Sequence, residues 1–221
     1  MEKLKPELLA PVGNTESFYA AINAGADAVF LGLQEFNARG RASNFNRPML
    51  RLAVRKAKEK NVKVYITLNV LIKNSEIDQL IDILSFLEAI GVDGIIIQDW
   101  GVFYLVRKYF PKLRLHASTQ MAVHNSVGVN FGAEKGIVRT VLARELTLPE
   151  LETIASRSKA ELEVFVHGAL CYSFSGMCMF SSFAGGQGAN RGLCKQSCRR
   201  VYQDGADRKS TRLNSSHGYI S

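Results

Sequence analysis

The chain has 221 residues, 47% of them apolar, which is the composition of a soluble globular protein that can bury one sizeable core. Its 28 lysines and arginines exceed its 20 aspartates and glutamates, and the net charge of +8 favours a polyanionic partner such as RNA. No apolar run approaches the ~18 residues that cross a bilayer, and the charged start MEKLKPELLAPVG lacks the features of a secretory signal. We therefore expect a cytoplasmic protein without a membrane span.

Short apolar runs rich in β-branched residues alternate with amphipathic stretches from residue 7 to about residue 166. In chain order, the predicted strands are ELLAPVG, AVFLGL, VKVYITLNV, GIIIQD, LRLHAST, TVLARE and LEVFVHG. The predicted helices between them include TESFYAAINAG, RPMLRLAVRKAKEKN, SEIDQLIDILSFLEAIG and LPELETIASRSK. This alternation predicts an α/β fold with a parallel sheet buried on both faces. Seven units favour a TIM-like (β/α) barrel, complete or incomplete, over an open doubly wound sheet, although periodicity alone does not separate the two.

Polar residues follow the predicted strands at the points where the strands end. We single out Asp99, His116, Arg144 and His167 as candidate catalytic residues. In a barrel the carboxyl ends of all strands lie on one rim, where such proteins build their sites, so these four side chains should share one cavity. The simpler alternative is that strands end in polar residues, and a structural hydrogen bond is the alternative role for either histidine.

The alternating pattern stops near residue 168, which we take as a domain boundary. Residues 169–206 form a glycine-containing stretch with four cysteines, which we call the cysteine segment. A chain of this length does not need disulfides, and a reducing compartment would not keep them, so clustered cysteines point to metal binding. Buried thiols that serve only packing are the alternative.

The spacing of the cysteines leaves the kind of metal site open. Six residues separate Cys171 from Cys178, fifteen separate Cys178 from Cys194, and three separate Cys194 from Cys198. Structural zinc sites use two tight pairs, and only the last pair has that form. A thiolate-rich site without matching pairs is compatible with an iron–sulfur cluster, with zinc as the alternative. A catalytic Cys171 paired with His167 has no evident orienting acid.

Several motifs resemble one known family. HGALCYSFSGMCMFSSFAGGQGANRGLCKQSCRR resembles the signature of peptidase family U32, the collagenase-like proteases, and ELLAPVGNTESFYAAINAGADAVFLG resembles its opening segment. The motifs HASTQMAVHNS, VLARELTLPEL and EVFVHGALC follow in the family's order, so the resemblance covers nearly all of residues 7–203. It implies an iron–sulfur protein that supports oxygen-independent hydroxylation of tRNA, of ribosomal RNA or of a quinone precursor, with prephenate as an oxygen source in some members.

By position, the resemblance implies that Cys171, Cys178 and Cys194 bind the cluster, expected to be of the 4Fe–4S type. Cys198 is the fourth ligand in some relatives, whereas others use a cysteine far beyond the third. Arg144 would then bind a carboxylate such as that of prephenate, and His116 or His167 would move protons near neutral pH. A collagenase-like peptidase and a zinc-stapled RNA-binding module are the alternatives.

The end of the chain has a different character. The stretch DRKSTRLNSSH resembles the translation of a sequencing-library adaptor, so we expect the natural reading frame to end near Ala206. Residues 207–221 would then be an artificial tail that packs poorly against the rest of the protein.

Overall fold

The computed structural model of the chain describes residues 5–40, 42–203 and 210–212. The strands are β1 (Leu9–Pro11), β2 (Ala28–Gly32), β3 (Lys63–Leu68), β4 (Gly94–Ile97), β5 (Leu115–Ala117), β6 (Ile137–Val141), β7 (Glu161–Glu163), β8 (Val201–Gln203) and β9 (Ser210–Arg212). The α-helices are α1 (Thr15–Asn23), α2 (Arg47–Glu59), α3 (Ile77–Ile90), α4 (Trp100–Tyr109), α5 (Ser126–Lys135), α6 (Leu148–Arg157) and α7 (Phe180–Gly185).

The first seven strands form one parallel sheet in the order in which they occur along the chain. Helices α1 to α6 connect successive strands, and the sheet curls into a half-barrel. The predicted α/β architecture with a TIM-like, incomplete barrel is confirmed. Strands β8 and β9 pair antiparallel in a separate two-stranded sheet.

The helices begin and end where the sequence supplies capping groups. The side chains of Asn14 and Asn46 accept hydrogen bonds from backbone N–H groups in the first turns of α1 and α2. Helix α3 ends at Gly91, whose left-handed backbone (φ 68°) suits glycine. These local signals set where each connection returns to the sheet.

The sheet has an apolar core on its outer, helix-covered face and a smaller, partly polar interior. Ile95 and Ile97 point towards the helices and belong to the main core. The intervening Ile96 points inward, where it packs with Ala28 and Tyr65. Successive side chains of a strand alternate between faces, so the same alternation assigns the other strand residues to the interior.

A buried arginine joins the two ends of the curled sheet. Arg139 of β6 is 9% exposed at its side chain and contacts Glu161 at 2.6 Å and Glu7 at 2.7 Å. It also lies 3.7 Å from Glu163, and its guanidinium stacks over the ring of Tyr65. Because Glu7 precedes β1 and Glu163 belongs to β7, this network draws the first and last strands together.

Two strand boundaries differ from the prediction. Strand β6 begins at Ile137, three residues before the predicted start at Thr140. Strand β7 ends at Glu163, whereas the predicted strand continued to residue 168. Val166 is 87% exposed, and β7 is the edge strand of the described sheet, so the apolar run after Glu163 has no neighbouring strand to hold it.

No helix in the described ranges is both long enough and apolar enough to cross a bilayer. Apart from residues 210–212, which form β9, the predicted tail 207–221 lies outside the described residues. Its origin and the boundary at residue 168 therefore stay predictions.

The Arg139 network yields a stability prediction. Replacing Arg139 with methionine should lower the free energy of unfolding by about 3–5 kcal/mol, because it leaves buried carboxylates without their cation. The control Lys56→Met removes an exposed pair with Glu59, which should change stability by less than about 1 kcal/mol. Urea unfolding followed by circular dichroism measures both. Equal losses in the two variants would contradict a stabilising role for the buried network.

Glu163 yields a pH-dependent prediction. Burial raises the pKa of Glu163 from 4.5 to about 7, although Arg139 partly offsets the effect. A folded-state pKa above the unfolded one stabilises the protein fully below about pH 4.5, and that contribution is lost as the pH rises through about 7. Glutamine stays neutral, so Glu163→Gln should gain about 2 kcal/mol relative to the natural chain between about pH 5.5 and about pH 8.

Urea unfolding at both pH values measures this gain, with the exposed Glu152→Gln as the control variant. A difference between Glu163→Gln and the natural chain that is the same at both pH values would show that Glu163 has no raised pKa.

Candidate functional site

The cysteine segment is anchored to the carboxyl edge of the sheet through Ser175. Ser175 is fully buried, and its backbone N–H and its hydroxyl both donate to the Glu145 carboxylate. Thr119, after β5, lies 3.3 Å from the same hydroxyl, and Arg144 donates to it through Nε. Hydrogen bonds from Ser175 lower the pKa of Glu145, against the opposing effect of burial, so the carboxylate is charged at neutral pH. One serine thus joins the segment to the ends of β5 and β6.

Two glycines let the backbone of the segment lie directly against the barrel loops. A Cβ atom at Gly176 would overlap the carbonyl of Gln120, and one at Gly192 would overlap the carbonyl of Asn37. Both glycines also have positive φ values of 73° and 77°. Any side chain at either position would therefore be strained and would push the segment away.

A second group of polar contacts anchors the segment near β3. Arg191 pairs with Glu76, and the pKa of Glu76 falls to about 2, chiefly because of hydrogen bonding to Arg191. The amide of Asn190 donates to the carbonyl of Gly176 at 2.9 Å, and its own carbonyl accepts from the N–H of Leu71. The segment is thus held at both sides of the barrel opening.

The four cysteines are free thiols that gather within electrostatic range of Cys198. Burial raises the pKa of Cys198, and the neighbouring Cys171, Cys194 and Cys178 raise it further. Cys171 is exposed and the other three are half-buried. The N–H of Gln196 donates to the sulfur of Cys194 at 3.4 Å. Among the described residues, no three His, Cys, Asp or Glu side chains are placed to hold one metal ion.

The predicted rim residues do not form one shared cavity. Asp99 lies at the end of β4, where its carboxylate caps α4 by accepting from Gly101 and Val102 and also accepts from the N–H of Ile72. Arg144 contacts Ser175 and borders a small, mainly apolar pocket between β6, β7 and α6. His167 is exposed in the stretch after β7.

The prediction that His116 lies on the rim is wrong. Its ring is buried inside the barrel, 4.7 Å from the ring of Tyr65, because it occupies an inward position in the middle of β5. Burial lowers the pKa of His116 to about 3, and the charge of Arg139 lowers it further. The imidazole is therefore neutral at neutral pH, which does not suit proton transfer near pH 7.

Sequence reasoning missed the anchoring residues. Glu145 was noticed only as a strand end, and Ser175 was not distinguished from the other hydroxyls of the segment. The glycines at 176 and 192 were the available signal, because glycine at fixed positions in an irregular stretch indicates close backbone approach. Their partners lie far away in the sequence and have no local pattern.

Comparisons with known proteins agree with this architecture. The family profile described as Peptidase family U32 matches residues 13–220. The chain is 40% identical over 207 residues to tRNA hydroxylation protein P1 of Bacillus subtilis (strain 168), covering 92% of this chain and 49% of that protein. It is 36% identical over 199 residues to tRNA hydroxylation protein P of Escherichia coli (strain K12), covering 90% and 44%.

The chain spans about half the length of these curated relatives. Among solved structures, the U32 peptidase Mk0906 has a similar fold, with a TM-score of 0.60 at 15% identity, over 74% of this chain and 70% of that one. The resemblance seen in the motifs is thus confirmed by the profile and by both relatives: the chain belongs to peptidase family U32.

Proposed function

We propose that the protein is the part of an iron–sulfur enzyme that supports oxygen-independent hydroxylation of RNA, with tRNA as the first substrate to test and ribosomal RNA as the second. The gathering of four free thiols at the open edge of the barrel carries the proposal. The names of the two tRNA hydroxylation relatives supply the reaction. An RNA substrate also favours a cytoplasmic location.

The residues of the segment fit an iron–sulfur cluster. Cys171, Cys178 and Cys194 would hold it, with Cys198 as the fourth candidate, because thiolates are the usual ligands of such clusters. A cluster distributes its ligands over several iron atoms, so thiols that are gathered without surrounding a single point suit it better than they suit one zinc ion. Bound there, the cluster would supply one-electron chemistry that side chains cannot perform.

The surrounding residues would orient and tune the site. The N–H of Gln196 that donates to the Cys194 sulfur is the kind of hydrogen bond that adjusts a cluster's potential. Ser175 and Glu145 would fix the loop between Cys171 and Cys178 against β6. Arg144, beside that anchor, is our candidate for binding the carboxylate of an oxygen donor such as prephenate.

Basic residues favour RNA as the partner of this face. Lys195, Arg199 and Arg200 lie within the cysteine segment, and the whole chain carries a net charge of +8. Lysine and arginine side chains near a site attract the phosphate backbone and release its counterions. Binding should therefore weaken steeply as salt rises.

A peptidase mechanism has less support in the described residues. Nδ1 of His124 lies 2.8 Å from the carbonyl oxygen of Ala122, and Nε2 faces Glu145 at 3.7 Å. Ser175, the serine nearest to these groups, is fully buried and engaged by Glu145. A serine nucleophile needs an adjacent base and access to substrate, and this arrangement provides neither.

The test uses the full-length protein purified without oxygen. Cys178→Ser should lose most of its iron and sulfide and the visible absorption of a cluster, because serine replaces a thiolate ligand. The neighbouring, 77% exposed Met179 provides the control Met179→Leu, which should keep both. Metal analysis and visible absorption spectra measure the result. Full iron in Cys178→Ser, or zinc in place of iron in the natural protein, would refute the proposed cluster.

A further inference from the structure

Arg39 places a cation over the interior surface of the barrel. Its guanidinium carbon lies 5.3 Å from the centroid of the Phe30 ring, within the range of a cation–π contact. Phe30 belongs to β2 and packs against the interior group that contains Tyr65 and Ile96. The guanidinium therefore lies at the opening of the barrel, on the side of the carboxyl edge.

This cation has no acidic partner among the described residues, since the only contact of its guanidinium there is with the Phe30 ring. Acidic groups of the same edge are already engaged elsewhere. Glu76 binds Arg191, Asp99 caps α4, and Glu145 holds Ser175. The arginine thus keeps its hydrogen-bonding capacity for another molecule.

The surroundings of Arg39 are those of a concave surface. Its side chain remains accessible to solvent, yet the protein around it desolvates the guanidinium and lowers its pKa. A group on a flat or convex surface would be accessible without being desolvated. An arginine desolvated in this way gains more from an anionic ligand than one in open water does.

A second unsatisfied group lies on the same face. Gln98 follows β4 and is 8% exposed, and its side-chain oxygen is buried without a hydrogen-bond partner in the described part of the chain. It comes two residues after the inward-pointing Ile96, so the alternation of the strand directs it to the barrel interior. A buried amide oxygen without a donor is unfavourable unless a ligand supplies one.

The loop that carries Arg39 is fixed to the cysteine segment. The N–H of Ala38 donates to the side chain of Asn69 at 3.0 Å. Gly192 lies against the carbonyl of Asn37, and a Cβ atom at Gly40 would come within 2.9 Å of the Gly192 carbonyl. The guanidinium is thus held beside the stretch that leads to Cys194.

We infer that Arg39 and Gln98 form a binding site for a small carboxylate that also carries a hydroxyl group. The planar guanidinium, stacked on Phe30 by one face, keeps its edge free for a two-pronged contact with a carboxylate. The hydroxyl donates to the oxygen of Gln98. A phosphate dianion fits less well, because this interior site offers one cation where two charges would need neutralising.

The site extends the proposed function by giving a small co-substrate a position at the barrel opening beside the cysteine segment. To that extent the inference rests on the proposed function. Binding itself requires neither iron nor RNA, so a binding measurement can fail while the iron measurement above succeeds, and the reverse.

The test is calorimetric titration of the full-length protein, purified without oxygen, with three hydroxycarboxylates and their deoxy counterparts. The pairs are lactate and propionate, malate and succinate, and citrate and tricarballylate, and inorganic phosphate is titrated separately. Arg39→Gln should weaken the tightest hydroxycarboxylate by at least about tenfold. The control Arg51→Gln removes an arginine stacked at 5.4 Å on Phe86 of helix α3, outside the barrel, and should leave binding unchanged.

Gln98→Leu adds a test of the hydroxyl contact. The natural protein should bind a hydroxycarboxylate more tightly than its deoxy partner, and Gln98→Leu should lose that preference while still binding both acids. The inference fails if no hydroxycarboxylate binds or if phosphate binds more tightly. It also fails if Arg144→Gln weakens binding while Arg39→Gln does not.

Discussion

The site depends on one topological constraint, the consecutive order of seven parallel strands. Parallel strands in this order bring all their carboxyl ends to one edge, so loops that are distant in sequence meet there. The buried network of Arg139 with Glu7 and Glu161 keeps the sheet curled by joining its first and last parts. The curl turns a row of strand ends into an opening that the cysteine segment can border.

The cysteine segment has little regular structure, and its position comes from contacts with the barrel. Ser175 anchors one part to Glu145, and Arg191 anchors another to Glu76. Gly176 allows the backbone to lie where a side chain would not fit. Such a segment can bring thiols together only while the barrel edge is intact. The proposed cluster and the proposed carboxylate site therefore depend on the same edge.

Much of the fold could be predicted, because strand and helix periodicities are local properties of the sequence. The run GIIIQD predicted β4 well, since its isoleucines are buried on both faces of the sheet. The run after Glu163 misled the prediction, because an apolar pattern does not reveal that β7 lies at the edge of the sheet. His116 misled it for another reason, since one position within a strand decides whether a side chain lies inside the barrel or on its rim.

The candidate site was predictable only in part. The cysteines were identified from their chemistry, but their anchors were not, because Ser175 and Glu145 are thirty residues apart. Arg39 was equally hidden, since its significance comes from lacking an acidic partner in the described fold and from its position over Phe30. Pairings between distant residues become visible only when the strand order is known.

The central claim is that the gathered thiols bind an iron–sulfur cluster at the carboxyl edge. X-ray absorption at the iron and zinc edges, on the full-length protein purified without oxygen, tests it most directly. The account predicts iron surrounded by sulfur, with a second shell of neighbouring iron atoms that only a cluster provides. Zinc bound by sulfur at ~2.3 Å with no metal neighbour would contradict it.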